Sequence, residues 1–301
     1  MLPDLDSLSL FVKAAEFHSL TRAADACHLG LAAASRRIGL LEHRMNCRLL
    51  ERSPKGVEVT AAGMTLLAHA KQLLVQVNRM QADMNDHALG RRGRLKILAN
   101  TSAMAQYVPA DLARFVASDP DVGLVVEEGW SSQIAAAVLA GDADVGVVMD
   151  GVPTDGLDFL PYRTDRLAVV LPRAHPLAQL DEMHFSDVLD HELVALETGS
   201  SLMRLLSERA VDLDKALRLR VQVRGFEAVC RMVHAGLGLG LLPFLAANAF
   251  SGGMEIEVCP LADSWAVRRM LLCTRPDRTG DPVVQRLLRA FTGVERARVL
   301  A

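Results

Sequence analysis

A chain of 301 residues, half of them hydrophobic, is long enough to bury more than one core. No run nears the ~18 uninterrupted apolar residues of a membrane helix, and Met1-Leu2-Pro3-Asp4-Leu5-Asp6 lacks the basic start and apolar stretch of a signal peptide. The net charge of −3 excludes a uniformly basic surface. The five cysteines (Cys27, Cys47, Cys230, Cys259 and Cys273) share no CxxC spacing, so a reduced, cytoplasmic protein without membrane contact is expected.

In chain order, Leu8, Phe11 and Ala15 recur at helical spacing. Ser19 opens a second short helix through Leu20-Thr21-Arg22-Ala23-Ala24. A break at His28-Leu29-Gly30 then leads into a third helix from Leu31 to Glu42. Two short helices joined by a tight turn are shaped to present the second to a DNA major groove. The small side chains of Ala32 and Ala33 let the backbone approach base edges beside Leu31 and Ser35. Arg36 and Arg37 reach phosphate oxygens or guanine. Between Leu31 and Gly56 six cations face only two anions, the local excess a DNA-facing surface needs, although a solvated helix face gives the same count.

Asn46–Arg52 and Gly56–Thr60 read as two short strands around the turn Ser53-Pro54-Lys55-Gly56, a wing with Arg52 and Lys55 placed for backbone contact. Thr60 caps a long helix in which Leu66, Ala70, Leu73, Val77, Met80, Met84 and His87 alternate steps of four and three. That spacing predicts a dimerisation seam; the alternative is a face packed on the helix's own domain. The helix gives way at Gly90-Arg91-Arg92-Gly93.

From Arg94 the pattern alternates. Candidate strands at 95–99, 122–127, 144–149, 167–171, 193–196, 217–223 and 270–273 are interleaved with helical patterns at 108–118, 131–139, 201–210, 226–235 and 283–291. The alternation predicts a parallel sheet covered by helices. Ligands of such sheets collect beyond the strand carboxyl ends, near helix starts. Thr101 and Ser102 follow the first strand, Ser131 and Ser132 the second, and Thr198 and Ser200 precede a helix further on. With Trp130, Met149 and Phe226 they form a candidate ligand site, suited to a carboxylate-bearing metabolite. As alternatives, the serines are plain helix caps and the aromatic residues ordinary packing.

Residues 5–63 resemble the DNA-binding domain of LysR-type transcriptional regulators. The resemblance runs through Phe11, Ala14-Ala15-Glu16, Ser19-Leu20-Thr21-Arg22-Ala23-Ala24, Ser35-Arg36, Ile38, Leu41-Glu42, Leu50-Glu51-Arg52 and Thr60-Ala61-Ala62-Gly63. Gly93-Arg94-Leu95-Lys96-Ile97, Phe115 through Val122 and Ala235 through Pro243 extend it over nearly the whole chain. Where the family often has serine, glutamine and proline, this chain has Gly30, Leu31 and Ala32. Leu31 offers a thymine methyl apolar contact in place of a bidentate adenine contact.

The resemblance implies an α/β protein with an N-terminal winged helix-turn-helix, a long linker helix and a two-lobed, periplasmic-binding-protein-like (Rossmann-like) effector domain. The expected boundaries are 1–60 for DNA binding (helix-turn-helix 20–39), 61–90 for dimerisation and 94–301 for effector binding. Lobe I would take about 94–163 and 269–301, and lobe II about 164–268. The implied partners are double-stranded DNA at a dyad-symmetric promoter site, a small-molecule effector between the lobes, copies of the chain in a homodimer or homotetramer, and RNA polymerase. No cofactor, metal or catalytic residue is implied.

Two rivals stand beside this reading. An enzyme on the same fold would need a motif the chain lacks, since there is no GxSxG, HExxH or GxxxxGK[ST] and the glycines at 236–240 precede a strand, while a ligand-binding protein on that fold stays as an alternative. Cys27-His28 and His43/Cys47 lie at the ends of different helices, about 20 Å of helix apart, too far for one zinc ion. A thiol redox sensor would use Cys259 and Cys273, with Cys230 in a core helix.

Overall fold

The computed structural model describes residues 3–53, 56–88, 93–153 and 155–293. The chain divides into two compact units, Met1–Gly90 and Arg91–Ala301.

In the first unit α1 (Leu5–Phe17), α2 (Leu20–Ala26) and α3 (Leu31–Met45) precede a hairpin of β1 (Leu50–Ser53) and β2 (Gly56–Val59), then α4 (Ala61–Ala88). Asp4 caps α1 by accepting from the Ser7 amide at 2.8 Å, and Ser19 caps α2 through the Arg22 amide at 3.3 Å. Phe11 of α1, Ala23 of α2 and Ile38 and Leu41 of α3 meet in one core. Glu42 accepts from the backbone amides of Leu49 and Leu50 at 2.8 and 3.2 Å, which ties the end of α3 to the start of the wing. The expected first strand therefore begins at Leu50 and not at Asn46, which closes α3 in the left-handed conformation.

Thr60 caps α4 by accepting from the Gly63 amide at 2.9 Å while donating to the Arg48 carbonyl at 2.8 Å. Gly63 is required there: a Cβ would lie 2.2 Å from the Leu49 carbonyl oxygen. Gly56 (φ +130) likewise admits the His18 carbonyl, which accepts from the Val57 amide at 3.0 Å and docks the wing on α1.

The second unit repeats one pattern twice. In lobe I, β3 (Arg94–Ala99), α5 (Thr101–Gln106), α6 (Val108–Ser118), β4 (Gly123–Glu128), α7 (Ser131–Ala140) and β5 (Val145–Met149) give a parallel sheet ordered β4-β3-β5. The long β6 (Asp158–Pro172) leads to lobe II. There a short α8 (Phe185–Val188), β7 (Leu193–Leu196), α9 (Ser201–Asp212), β8 (Leu219–Val223), α10 (Phe226–His234) and β9 (Leu239–Pro243) repeat the order as β8-β7-β9. The chain ends with α11 (Phe244–Ser251), β10 (Ile256–Pro260), β11 (Val267–Thr274), α12 (Pro276–Thr279) and α13 (Pro282–Thr292).

The expectation of a parallel sheet needs correction. β11 runs antiparallel to β5 and β6, and β6 antiparallel to β9 and β10. β6 carries the chain out of lobe I and β11 returns within lobe I beside it, so the two run in opposite senses. The expected strand 167–171 is the carboxyl half of β6, which is paired on both edges and continuously buried. Its amino half alternates and pairs only with β11, so it lacked the apolar run that marks a strand in sequence.

The crossover is sharply placed. Arg166 pairs with Val267 in lobe I, and Leu167 pairs with Pro243 in lobe II. Beside it Arg268 and Asp165 form a buried bidentate ion pair, with Arg268 Nε 2.8 Å from the carboxylate. Arg268 also donates to Ser102 Oγ at 3.2 Å, and Gln106 donates to Asp165 at 3.3 Å.

Candidate functional site

On α3, Ala34, Ile38 and Leu41 point into the core. The opposite face therefore exposes Leu31 (50%), Ala32, Ala33 and Arg36, with Ser35 half-buried at its edge. Gly30 at the N-cap offers no side-chain acceptor, so the first-turn amides of α3 carry no side-chain cap. Thr21 and Arg22 are exposed on α2, and the Arg22 guanidinium stacks 5.0 Å from the Phe17 ring centre. Among the described residues no ion-pair partner is found for Arg36. Arg37 pairs with Asp6 at 3.4 Å, tied back to α1. Lys55 lies outside the described residues, as does the side chain of Arg52.

The expected seam along α4 divides in two. Ala70 is fully buried and Leu66 half-buried against the winged-helix core, so these positions serve the helix's own unit and are withdrawn from the seam. Lys71 pairs with Glu16 of α1 at 2.8 Å on the same stretch. Beyond it Leu73, Met80 and Met84 are 50–58% exposed and Val77 is half-buried. His87 lies outside the residues whose side chains are described.

In the second unit, Thr101, Ser102, Trp130, Ser131, Ser200 and Phe226 meet around one small space where the lobes face each other. It encloses about 20 Å³, room for a single water. Three of the hydroxyls accept a hydrogen bond: Ser102 from Arg268, Ser131 from the Met149 amide at 3.0 Å, and Ser200, which caps α9, from the Met203 amide at 3.1 Å. The Trp130 ring lies against Gly199 of lobe II, where a Cβ would approach it to 2.6 Å. Gly199 (φ +114) is thus fitted to that contact. Phe226 belongs to the lobe II core. Ser132 and Thr198 are exposed and border neither this space nor the chambers beside it; Thr198 accepts from Gln222 at 3.4 Å.

Two larger chambers flank the amino end of α9. One, of about 380 Å³, adjoins Thr101, Trp130 and Ser200 and is bounded by Glu128, Gln133, Glu197 and Arg224. Thr101 Oγ1 donates to Glu128 at 2.6 Å, and Arg224 Nε donates to both oxygens of Glu197 at 2.9 and 3.0 Å. These charged residues were missed, yet their positions were readable. Glu128 ends β4, and Glu197 and Arg224 directly follow β7 and β8, the carboxyl ends where α/β sheets collect ligands. The other chamber, of about 710 Å³, takes Met149, expected in the serine cluster, together with Ser201, Arg204, Trp265 and Arg269.

The thiols of the second unit are poorly placed for redox chemistry. Burial pushes Cys230 up to about 11 and Cys273 up to about 12, and raises Cys259, whose Sγ faces the Leu180 carbonyl at 3.2 Å. A protonated, buried thiol is a weak nucleophile. Among the described residues no three His, Cys, Asp or Glu side chains gather as a metal site, and no helix is long and apolar enough to cross a membrane.

Comparison with known proteins agrees with this architecture. Residues 5–64 match the bacterial regulatory helix-turn-helix protein family, lysR type, and residues 88–295 match the LysR substrate binding domain. The chain is 25% identical over 286 residues to the uncharacterized HTH-type transcriptional regulator YbhD of Escherichia coli K12, covering 95% of this chain and 90% of that one. Its fold is similar to full-length CbnR complexed with target DNA (TM-score 0.71, 19% identity, 96% and 98% of the two chains). The effector binding domain of QuiR in complex with shikimate is similar in fold to the second unit (TM-score 0.59, 18% identity, 67% of this chain and 96% of that one). With a helix-turn-helix at one end and a two-lobed substrate-binding domain filling most of the rest, the chain belongs to the LysR family of transcriptional regulators, DNA-binding proteins with a small-molecule effector domain and no enzymatic role.

Proposed function

We propose that α3 reads one half of a dyad-symmetric promoter site, with Leu31, Ala32, Ala33, Ser35 and Arg36 toward the major groove and Arg22 toward phosphate. The supporting observation is the outward face of α3, which combines small and apolar side chains with an exposed arginine. Residues 1–60 form the reading head, 61–90 the linker, and 94–301 the effector domain, whose lobes change over between Arg166 and Leu167 and again before Val267, a few residues from the expected 163/164 and 268/269. Leu73, Val77, Met80 and Met84 join two copies, and two such dimers form a tetramer working in the cytoplasm, within reach of RNA polymerase.

The effector is a carboxylate-bearing metabolite held between the lobes. QuiR, similar in fold, is seen with shikimate, an organic acid. A ligand favouring one lobe arrangement shifts the population of dimer geometries and so the spacing of the reading heads. Footprinting on DNA upstream of the protein's own gene, wild type beside Arg36→Ala at one salt concentration, tests the reading head. A symmetric protected region with affinity reduced by about 1–3 kcal/mol in the variant is expected. Equal, diffuse protection by both proteins would overturn the assignment of α3.

A further inference from the structure

We propose that Asp6 is a positioning residue for DNA binding: it holds Arg37 of α3 off the duplex and so keeps the affinity for unrelated sequence low. This rests on the assignment of α3 as the reading helix and concerns the flank of that helix, not its outward face.

Arg36 and Arg37 are neighbours in sequence but stand about 100° apart around the helix. Arg36 is exposed on the outward face with Ala32. Arg37 is half-buried on the flank toward α1, and its guanidinium lies 3.4 Å from the Asp6 carboxylate. Two turns on, Arg44 donates to Asp4 at 3.2 Å. Both acids belong to the start of α1, Asp4 as its N-cap and Asp6 in its first turn. Asp4 is already engaged by the Ser7 amide, the Ser7 hydroxyl and Arg44, so Asp6 is the acid left to hold Arg37. On this flank two cations are matched by two anions, whereas among the described residues Arg22 and Arg36 have no ion-pair partner.

The neighbours of Arg37 toward the outward face leave its path to DNA open. Ala33, four residues before, and Leu40, three after, are both exposed, Leu40 at 52%. An arginine that neutralises a phosphate releases a condensed counterion, and that gain is independent of base sequence. An arginine matched to a carboxylate brings no net charge, and moving it would leave Asp6 uncompensated beside the duplex. Asp6 thus removes one sequence-independent contact while Leu31, Ala32 and Arg36 keep the face that reads bases.

The test titrates full-length protein onto a fluorescein-labelled random-sequence duplex over a series of potassium chloride concentrations, and onto DNA upstream of its own gene. Asp6→Asn is expected to tighten binding to the random duplex about threefold or more. It should also steepen the logarithmic salt dependence by about 0.9, the mark of one added phosphate contact. Arg37→Gln alone should change little, and in the Arg37→Gln background Asp6→Asn should lose most of its effect. The Asp6 side chain is 78% exposed, so the variant is expected to keep the fold, which circular dichroism checks. Unchanged affinity and slope in Asp6→Asn, an equal gain without Arg37, or a loss on Arg37→Gln as large as that of Arg36→Ala each overturn the restraint. A gain on the upstream DNA alone overturns it too, by making Arg37 a reader of bases. Arg36→Ala separates the two readings. If it leaves binding unaltered, the assignment of α3 fails; a loss there with silence at Asp6 sinks the restraint alone.

Discussion

The two units are held by contacts of very different reach along the chain. In the first, Glu42 binds backbone amides seven and eight residues away, and Thr60 caps the amide of Gly63. In the second, the lobe crossover is closed by Asp165 and Arg268, 103 residues apart, and Arg268 reaches Ser102 across 166 residues. Short-range caps leave a trace in sequence as motifs with fixed spacing. Ion pairs between distant strands leave none, because register and crossover decide which residues meet.

The largest test of this contrast is Asp165→Asn. Removing one partner of a buried pair leaves Arg268 uncompensated, and the effector unit should lose about 3–5 kcal/mol. Both tryptophans lie in that unit, so urea unfolding followed by their emission reports on it alone. Unchanged stability would mean that the crossover is held by the sheet and not by the ion pair. Next comes Gly63→Ala, which drives a methyl group into the Leu49 carbonyl. A loss of about 1–3 kcal/mol in the first unit is expected, read as a fall in the temperature at which operator binding is lost. A cost above that of Asp165→Asn would reverse the order of the two units.

Leu73→Glu is expected to weaken self-association about tenfold in sedimentation without unfolding the winged helix. The position is exposed, whereas Ala70 one turn earlier is not. An unaltered assembly would remove α4 as the seam. The smallest effect concerns His175, whose ring stands 5.0 Å from that of His191. Burial and His191 hold its imidazole below the usual value. The unfolded chain therefore takes up the proton first, and stability falls as pH drops below about 6.5, levelling off below the folded pKa. His175→Gln should flatten that slope; an unchanged slope would assign it to other groups.

Much of the winged helix was legible because its helices are amphipathic and their caps stand at fixed offsets. The seam was only half legible. A four-three spacing marks an apolar face without saying what covers it, and the first part of α4 is covered by its own core. In the effector unit the rule that ligands collect near helix starts singled out the serines, and six of the chosen residues converge on one small space. The same rule applied to charges would have found Glu128, Glu197 and Arg224 at the neighbouring strand ends.

By itself, then, the sequence determined most of the longer helices, though not α5, α8, α11 or α12, and which face of α3 turns outward. These follow from local periodicity and capping, each settled within a few turns of chain. Only the tertiary structure decided that β6 and β11 run antiparallel, that Ser102 serves Arg268, and that acids border one inter-lobe chamber and arginines the other. Those facts depend on which distant strands lie side by side, and side-chain partners across a sheet are fixed by that pairing.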